Sequence, residues 1–433
     1  MASITVVTDT DGERTPLHRD SQPAYSGVLT EYSSPPSAEE PPPENLTVTK
    51  QRLISLDVFR GLTVALMILV DDAGKAFPSI NHAPWFGVTL ADFVMPFFLF
   101  GVGVSVSLVF KNVPNKLAAT KKVVLRFIKL FLLGIILQGG YFHGRDNLTY
   151  GVDITRIRVM GVLQRIAIGY LLASVLEIWL VRNNAVNSAV AFAKRYSFQI
   201  LACSGAGILL GSLYMVLLHG LYVPSWAFDE SGLSMILPTS LGASRKTVHC
   251  GLRGSLKPPC NAVGLIDRIV LGEKHLYQCP VYRRTKECSV NSPDYGPLPP
   301  NSPVWCLAPF DPEGILSSLM AAITCFVGLH YGHILVHCKV DIKSIRKPSV
   351  IFQWMGMNAL IVYALAACDI FPAALQGFYW RSPENNLVNL FERLLQSVFH
   401  SKKWGTLAFV MLEILFWGAV AGFLHMKRIY IKL

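Results

Sequence analysis

Apolar runs of about twenty residues alternate along the chain with short polar stretches. Eight of these runs are long enough, or nearly so, to cross the roughly 30 Å hydrocarbon core of a bilayer as helices. They fall at approximately 54–72, 88–110, 123–140, 159–181, 198–219, 315–337, 350–371 and 405–425. Arg126 and Lys129 interrupt the third, and Glu413 the last. The pattern predicts an all-α polytopic membrane protein with about eight transmembrane helices and one long loop. Four regions follow from it: a polar tail over 1–49, an N-terminal membrane bundle over 50–219, a cysteine-containing loop over 220–314, and C-terminal membrane helices over 315–433.

Composition supports that reading. Of 433 residues, 52% are hydrophobic and only 15% charged, and the mean hydropathy is +0.41. A soluble protein of this length carries more charge. The tail, with "SSPPSAEEPPPEN", has no apolar stretch, so it is expected to be disordered and not to be a cleavable signal.

The formal net charge of +11 raises the question of nucleic acid. The basic residues instead sit between apolar runs, with no nucleic-acid module around them, so no nucleic-acid partner is expected. Their distribution has topological meaning. Lys50, Arg52, the loops 111–122, 182–195 and 339–347, and the C-terminal "KRIYIKL" hold sixteen Lys and Arg, against eight in the short loops 73–87, 141–158 and 372–404. The positive-inside rule then places both termini in the cytosol and the 73–87 loop on the lumenal or extracellular side.

Cysteine usage agrees with that sidedness. Five of nine cysteines (Cys250, Cys260, Cys279, Cys288, Cys306) fall in the long loop. Two disulfides and one remaining thiol are expected there, with the pairing open, in preference to a zinc site, because no Cys-x-x-Cys pair is present. The sequon at Asn147 lies on the same side and is an expected glycosylation site, whereas the one at Asn45 lies in the tail.

Ionisable groups within apolar helices are costly and usually functional, which makes them the best candidates for chemistry. "NHAPWFGVTLADFVMPFFLFGVGVSVSLVF" puts His82 just ahead of the second run and Asp92 inside it. Asp92 has two readings: it orients the His82 imidazole so that the second ring nitrogen is basic, or it caps the first turn of the helix. Asp71 and Asp72 end the first run, close to the loop carrying His82. Asp57 and Arg60, three apart, read as an internal ion pair. In "ITRIRVMGVLQRIAIGY", Arg165 needs an anionic partner inside the bundle, either a ligand or a carboxylate such as Glu177 or Asp92. His330, His333 and His337 share one helix face, but no carboxylate is nearby in sequence, so a packed face is favoured over a metal site.

These motifs resemble one family. "RLISLDVFRGLTVALMILV", "NHAPWFGVTLADFVMPFFLFGVGVSVSL", "IRVMGVLQRIAIGYLLASVLE", "IDRIVLGEKHLYQ", "FDPEGILSSLMAAITCFVGLHYGHIL" and "WMGMNALIVYALA" are similar, in order over roughly 50–430, to the membrane domain of heparan-α-glucosaminide N-acetyltransferases. The resemblance implies a lysosomal or vacuolar membrane enzyme that moves acetyl from cytosolic acetyl-CoA to an amine or hydroxyl of a lumenal amino sugar or glycan. It implies no metal and, by analogy, a homodimer.

His82 then inherits the active-site histidine, with Asp71 and Asp92 beside it. Arg158, Gln164 and Arg165 match family positions and are the expected holders of the acetyl-CoA co-substrate. Where the animal enzyme has asparagine eleven residues before the histidine, this chain has Asp71. Between "HILVHCKVDIKSIRKP" and "FQWMGMNALIVY" the family carries about two further spans, replaced here by a short basic linker, so the chain reads as a shortened relative. A secondary transporter and a catalytically silent truncated form are the alternative readings.

Overall fold

The computed structural model describes residues 53–138, 157–182, 188–229, 245–337 and 349–431. The expectations for the polar tail, the sequons at Asn45 and Asn147, and the basic linker after His337 fall outside those residues. The chain divides into two units, Met1–Leu53 and Ile54–Leu433. Only Leu53 of the first is described, and all that follows concerns the second.

Each of the eight apolar runs is helical over most of its described residues. The first five form α1 (Ile54–Ala73), α2 (Leu90–Val109), α3 (Lys116–Gln138), α4 (Val162–Leu180) and α5 (Ala189–Gly220). In the long loop, β1 (Tyr222–Val223), β2 (Trp226–Asp229), β3 (Arg245–Val248) and β4 (Leu252–Arg253) make two antiparallel pairs, β1 with β4 and β2 with β3, and precede the short helix α6 (Ala262–Val270). There follow α7 (Ile315–His337), α8 (Val350–Met357), α9 (Ala359–Ala367), α10 (Ile370–Gln376), the hairpin β5 (Tyr379–Trp380) and β6 (Ser382–Asn386), α11 (Leu387–Phe399) and α12 (Lys402–Met426).

The fold class is as the pattern predicted, an all-α polytopic membrane protein, and fewer helices than the eight runs are apolar enough along their whole length to be counted as spans among the described residues. Among the described residues, α2, α4, α5, α7 and α12 are long and apolar enough to cross a bilayer. The run at 350–371 is not one helix: α8 and α9 meet at Asn358 with a bend of 84°, and count as a sixth span only if taken together. In α1, Asp57, Arg60, Asp71 and Asp72 lower the apolarity, and in α3 five basic residues do the same. The expected pair Asp57–Arg60 is present at 3.4 Å.

Two apolar cores hold the bundle. One gathers Val64, Ile68, Met355, Val410, Ile414 and Trp417 from α1, α8 and α12. The other gathers Leu99, Tyr170, Ala322, Cys325, Phe326 and Leu329 from α2, α4 and α7. Because lipid offers no hydrophobic drive for helices to associate, the seams depend on close approach at small residues. A methyl group at Gly103 or Gly328 would collide with the facing backbone across α2 and α7, and one at Gly61 or Gly356 would do so across α1 and α8.

The long loop folds on its own small core of Phe228, Val248, Cys260 and Ala308. Disulfides join Cys250 to Cys260 and Cys288 to Cys306, while Cys279 is free. Two bridges and one thiol were expected, and the structure supplies the pairing. The Asn261 side chain caps α6, accepting from Gly264 N–H at 2.7 Å. On α6, the fully buried Asp267 accepts the N–H of Ile315 at 2.9 Å, which ties the loop to the first residue of α7. Burial raises its carboxyl pKa to about 6, partly offset by that hydrogen bond.

Candidate active site

The local sequence sets the His82 site. Thr89 ends the connection from α1, and "TLAD" makes a capping box at the start of α2. The Thr89 N–H and hydroxyl donate to Asp92 Oδ2 at 2.9 and 3.0 Å. Asp92 Oδ1 stands 2.7 Å from His82 Nδ1. The two readings of Asp92 are therefore both realised, one through each oxygen. Among the described residues Nε2 of His82 has no hydrogen-bond partner, and 48% of the side chain is exposed.

A second set of contacts fixes the loop around it. Asn81 Oδ1 accepts both the His82 backbone N–H at 2.8 Å and Arg284 Nη1 at 3.1 Å. Arg284 is buried, its Nε donates to the Pro293 carbonyl at 2.9 Å, and its charge reaches Asp92. Trp85 donates from Nε1 to the Leu256 carbonyl at 2.9 Å, and its ring meets Tyr282 and Phe310 edge to face. His82, Trp85, Asp92, Val281, Phe310 and Pro312 line a half-open cavity of about 200 Å³. That is small against the roughly 300–1,000 Å³ of most ligand clefts.

The other expected residues divide. Asp71 lies in the last turn of α1, exposed and within electrostatic reach of His82, Asp72, Asp369 and Glu313, without a direct hydrogen bond to the imidazole. Arg158 directs Nε and one terminal nitrogen at Asp311, and that terminal nitrogen also at Glu313, while its guanidinium lies over Tyr277 at 4.6 Å. These carboxylates raise its pKa well above the ordinary arginine value against the opposing effect of burial. Arg165 donates to the Pro312 carbonyl at 2.7 Å and to Ser317 Oγ.

The two arginines therefore brace the "FDPEG" segment that contributes Phe310 and Pro312 to the cavity. The carboxylate partners expected for Arg165 are engaged elsewhere: Asp92 with His82, and Glu177 with His333. Gln164 is fully buried against Gly134 of α3, and among the described residues neither polar atom of its amide has a hydrogen-bond partner.

A carboxylate distant in sequence joins the histidine face of α7. Glu177 Oε2 of α4 is 3.1 Å from His333 Nε2, both side chains being 1% exposed. Tyr196 of α5 stacks on His333 at 4.1 Å and places its hydroxyl 3.1 Å from His337 Nε2. Among the described residues no group of three or more His, Cys, Asp or Glu is disposed to hold a metal ion. Asn81 and Arg284 were missed in the sequence. Asn81 stood next to His82 in a quoted motif, but Arg284 lies 203 residues away from it and left no local signal.

The family model described as heparan-alpha-glucosaminide N-acetyltransferase, catalytic, matches residues 52–222, a range that contains all six expected site residues. The heparan-alpha-glucosaminide N-acetyltransferase of Mus musculus is 28% identical over 331 residues, covering 73% of this chain and 45% of the mouse protein. The protein of the same name from Homo sapiens is 29% identical over 315 residues, covering 71% and 42%. This chain is similar to the heparan-alpha-glucosaminide N-acetyltransferases. The resemblance carried by the motifs is borne out, and the match spans less than half the length of either N-acetyltransferase relative.

Proposed function

We propose that the chain is a membrane acetyltransferase of this kind, taking acetyl from acetyl-CoA and delivering it to an amine or hydroxyl of an amino sugar or glycan. The observation that carries this reading is the 2.7 Å contact of His82 Nδ1 with Asp92 at the wall of a cavity. A carboxylate on Nδ1 fixes the tautomer and leaves Nε2 as an acceptor, the arrangement a general base requires.

In the direct route, the acceptor's nucleophilic atom attacks the thioester carbonyl as Nε2 takes its proton. The C–S bond breaks, and the imidazolium returns that proton to the thiolate. In the second route, Nε2 attacks the thioester carbonyl, the C–S bond breaks and the thiolate leaves; the acceptor then attacks the acetyl-imidazole, the N–acetyl bond breaks, and the proton the acceptor loses passes through water to the thiolate. Asp92 stabilises the cationic ring in the direct route. Asp71 adds negative potential within electrostatic reach of the imidazole.

Arg158 is committed to two carboxylates, so its role is to hold the cavity wall and not to bind phosphate. Gln164, with its orphaned amide, stays the better candidate for a contact to the co-substrate, because a buried polar group without a partner is costly. The positive-inside count places His82 on the non-cytosolic face, opposite the donor's compartment. A lysosomal or vacuolar membrane and a homodimer follow from the family resemblance.

The test is purified protein in proteoliposomes, given labelled acetyl-CoA and a panel of amino sugars and glycans. Label is expected in an acceptor. Label that never leaves acetyl-CoA, with a full-length relative active in parallel, supports the silent form. One feature favours the carrier class, the broken α8–α9 helix, since discontinuous helices line many transport sites. Solute flux without acetyl transfer would establish that reading.

A further inference from the structure

The clearest feature outside the site is α11, a 13-residue helix that is too short to span a bilayer. Its sequence LVNLFERLLQSVF is strongly two-sided. A helix on the surface of a water-soluble protein turns its apolar side inward. Here much of that side faces outward. Leu390, Phe391, Leu394 and Val398 form one exposed stripe, at 38%, 43%, 53% and 71%, and Val388 is the only buried residue of the helix. The polar Asn389, Glu392 and Gln396 are half-buried. Gln396 packs so closely on the first turn of α12 that a methyl group at Gly405 would collide with it.

The stripe does not stand alone. Leu387 N–H donates to the Phe378 carbonyl at 3.1 Å, joining the start of α11 to the exposed Phe378, Tyr379 and Trp380. At the other end His400, in the left-handed conformation, and Ser401 turn the chain directly into α12, one of the apolar spans. That span opens with the exposed Lys402, Lys403 and Trp404. Exposed aromatic rings, flanking lysines and an apolar stripe continuous with a span are the composition of a helix at the bilayer interface. The same corner adjoins the connection that leads to His82, through the edge-to-face contact of Trp404 with Phe77 at 5.7 Å.

We propose that α11 lies flat in the lipid interface on the side of the molecule where His82 sits. Its Leu390–Phe391–Leu394–Val398 stripe enters the boundary of the acyl chains, and Arg393, Lys402 and Lys403 meet the headgroup phosphates. The occupant of this surface is the bilayer itself. This placement does not depend on the acetyltransfer reading.

Spin labels test it on the full chain in phospholipid nanodiscs. Val398→Cys, Leu394→Cys and Glu392→Cys would each be labelled in a background where Cys279, Cys338 and Cys368 are serine. Collision rates with oxygen, which concentrates in lipid, and with a water-soluble nickel chelate would then be compared. Expected is a severalfold excess of oxygen collisions at 394 and 398 that is absent at 392. Dominant nickel collisions at 398 would overturn the proposal in favour of open water, and protection from both reagents would overturn it in favour of protein, such as a second copy. Where a labelled variant fails to fold, fluorescence quenching by brominated lipid provides the second measurement. Trp380→Phe together with Trp404→Phe is expected to reduce that quenching, and an unchanged quenched fraction counts against the interfacial placement.

Discussion

Two imidazole–carboxylate pairs sit in this bundle, and chemically they are close to identical. His82 and Asp92 approach to 2.7 Å, His333 and Glu177 to 3.1 Å. Their surroundings separate them. The first pair is half exposed beside a cavity, with one ring nitrogen open. The second is sealed among α4, α5 and α7, with Tyr196 stacked over it. A histidine beside a carboxylate does not by itself mark a reaction site, because access decides what the pair can do. Buried, the same two groups act as a fastening. The buried residues of α5 are Arg195, Tyr196, Gln199 and Cys203, one polar stripe that meets this cluster.

The largest expected effect separates the pairs by activity. His82→Ala should lower acetyl transfer by about 10²–10⁴-fold, the usual contribution of a positioned general base, while leaving thermal stability nearly unchanged. Steady-state rates and melting curves on the same preparation check both halves. Glu177→Ala should do the reverse. Removing one partner of a buried pair leaves an uncompensated group and costs about 3–5 kcal/mol, so the melting temperature falls while the rate per folded molecule holds.

Asp267 extends the contrast to a third carboxylate, buried in the disulfide loop. Burial favours its protonated form in the folded state, with a folded pKa of about 6 against an ordinary value of 3.8. Its contribution to stability is therefore full below pH 4 and is lost as pH rises through 6. Asp267→Asn keeps an oxygen for the Ile315 N–H and removes the charge. Above pH 6 the variant should be the more stable by up to about 3 kcal/mol, with a flatter dependence on pH. Melting at pH 4.5 and 7.5 measures this, and equal slopes for the two proteins would refute it.

The smallest effect concerns how the open pair is held. Arg284→Gln should lower kcat by about tenfold with KM little changed, since a misplaced base costs rate more than binding. Arg284→Lys should restore part of the loss, because the charge facing Asp92 and a donor for Asn81 both return. A parallel fall in melting temperature and rate, without rescue, would make Arg284 merely structural.

Much of this was legible along the chain because it depends on local order. The helices follow from runs of apolar residues. Two bridges and one thiol follow from the cysteine count. Asp92 was undecided between orienting His82 and capping α2, because a sequence does not reveal that one carboxylate has an oxygen for each. The remaining features lie between distant segments. Glu177 meets His333, Arg284 meets Asn81, and Arg165 turns to Pro312 and Ser317 only once α4, α7 and the loop have packed. The break at Asn358 was invisible because hydropathy continues through it. The sequence around the two-sided α11 reads as connecting loop because its apolar residues are too few for a span.

Access is the claim on which the contrast between the two pairs rests, and thiol labelling measures it most directly. His82→Cys and His333→Cys would be prepared in a background free of other reactive thiols and exposed, in sealed vesicles of known orientation, to a membrane-impermeant maleimide. The thiol at 82 is expected to react from the non-cytosolic face alone, and the one at 333 from neither face until the protein is unfolded. Reaction at 82 from the cytosolic face, or equal protection at both positions, would contradict the account.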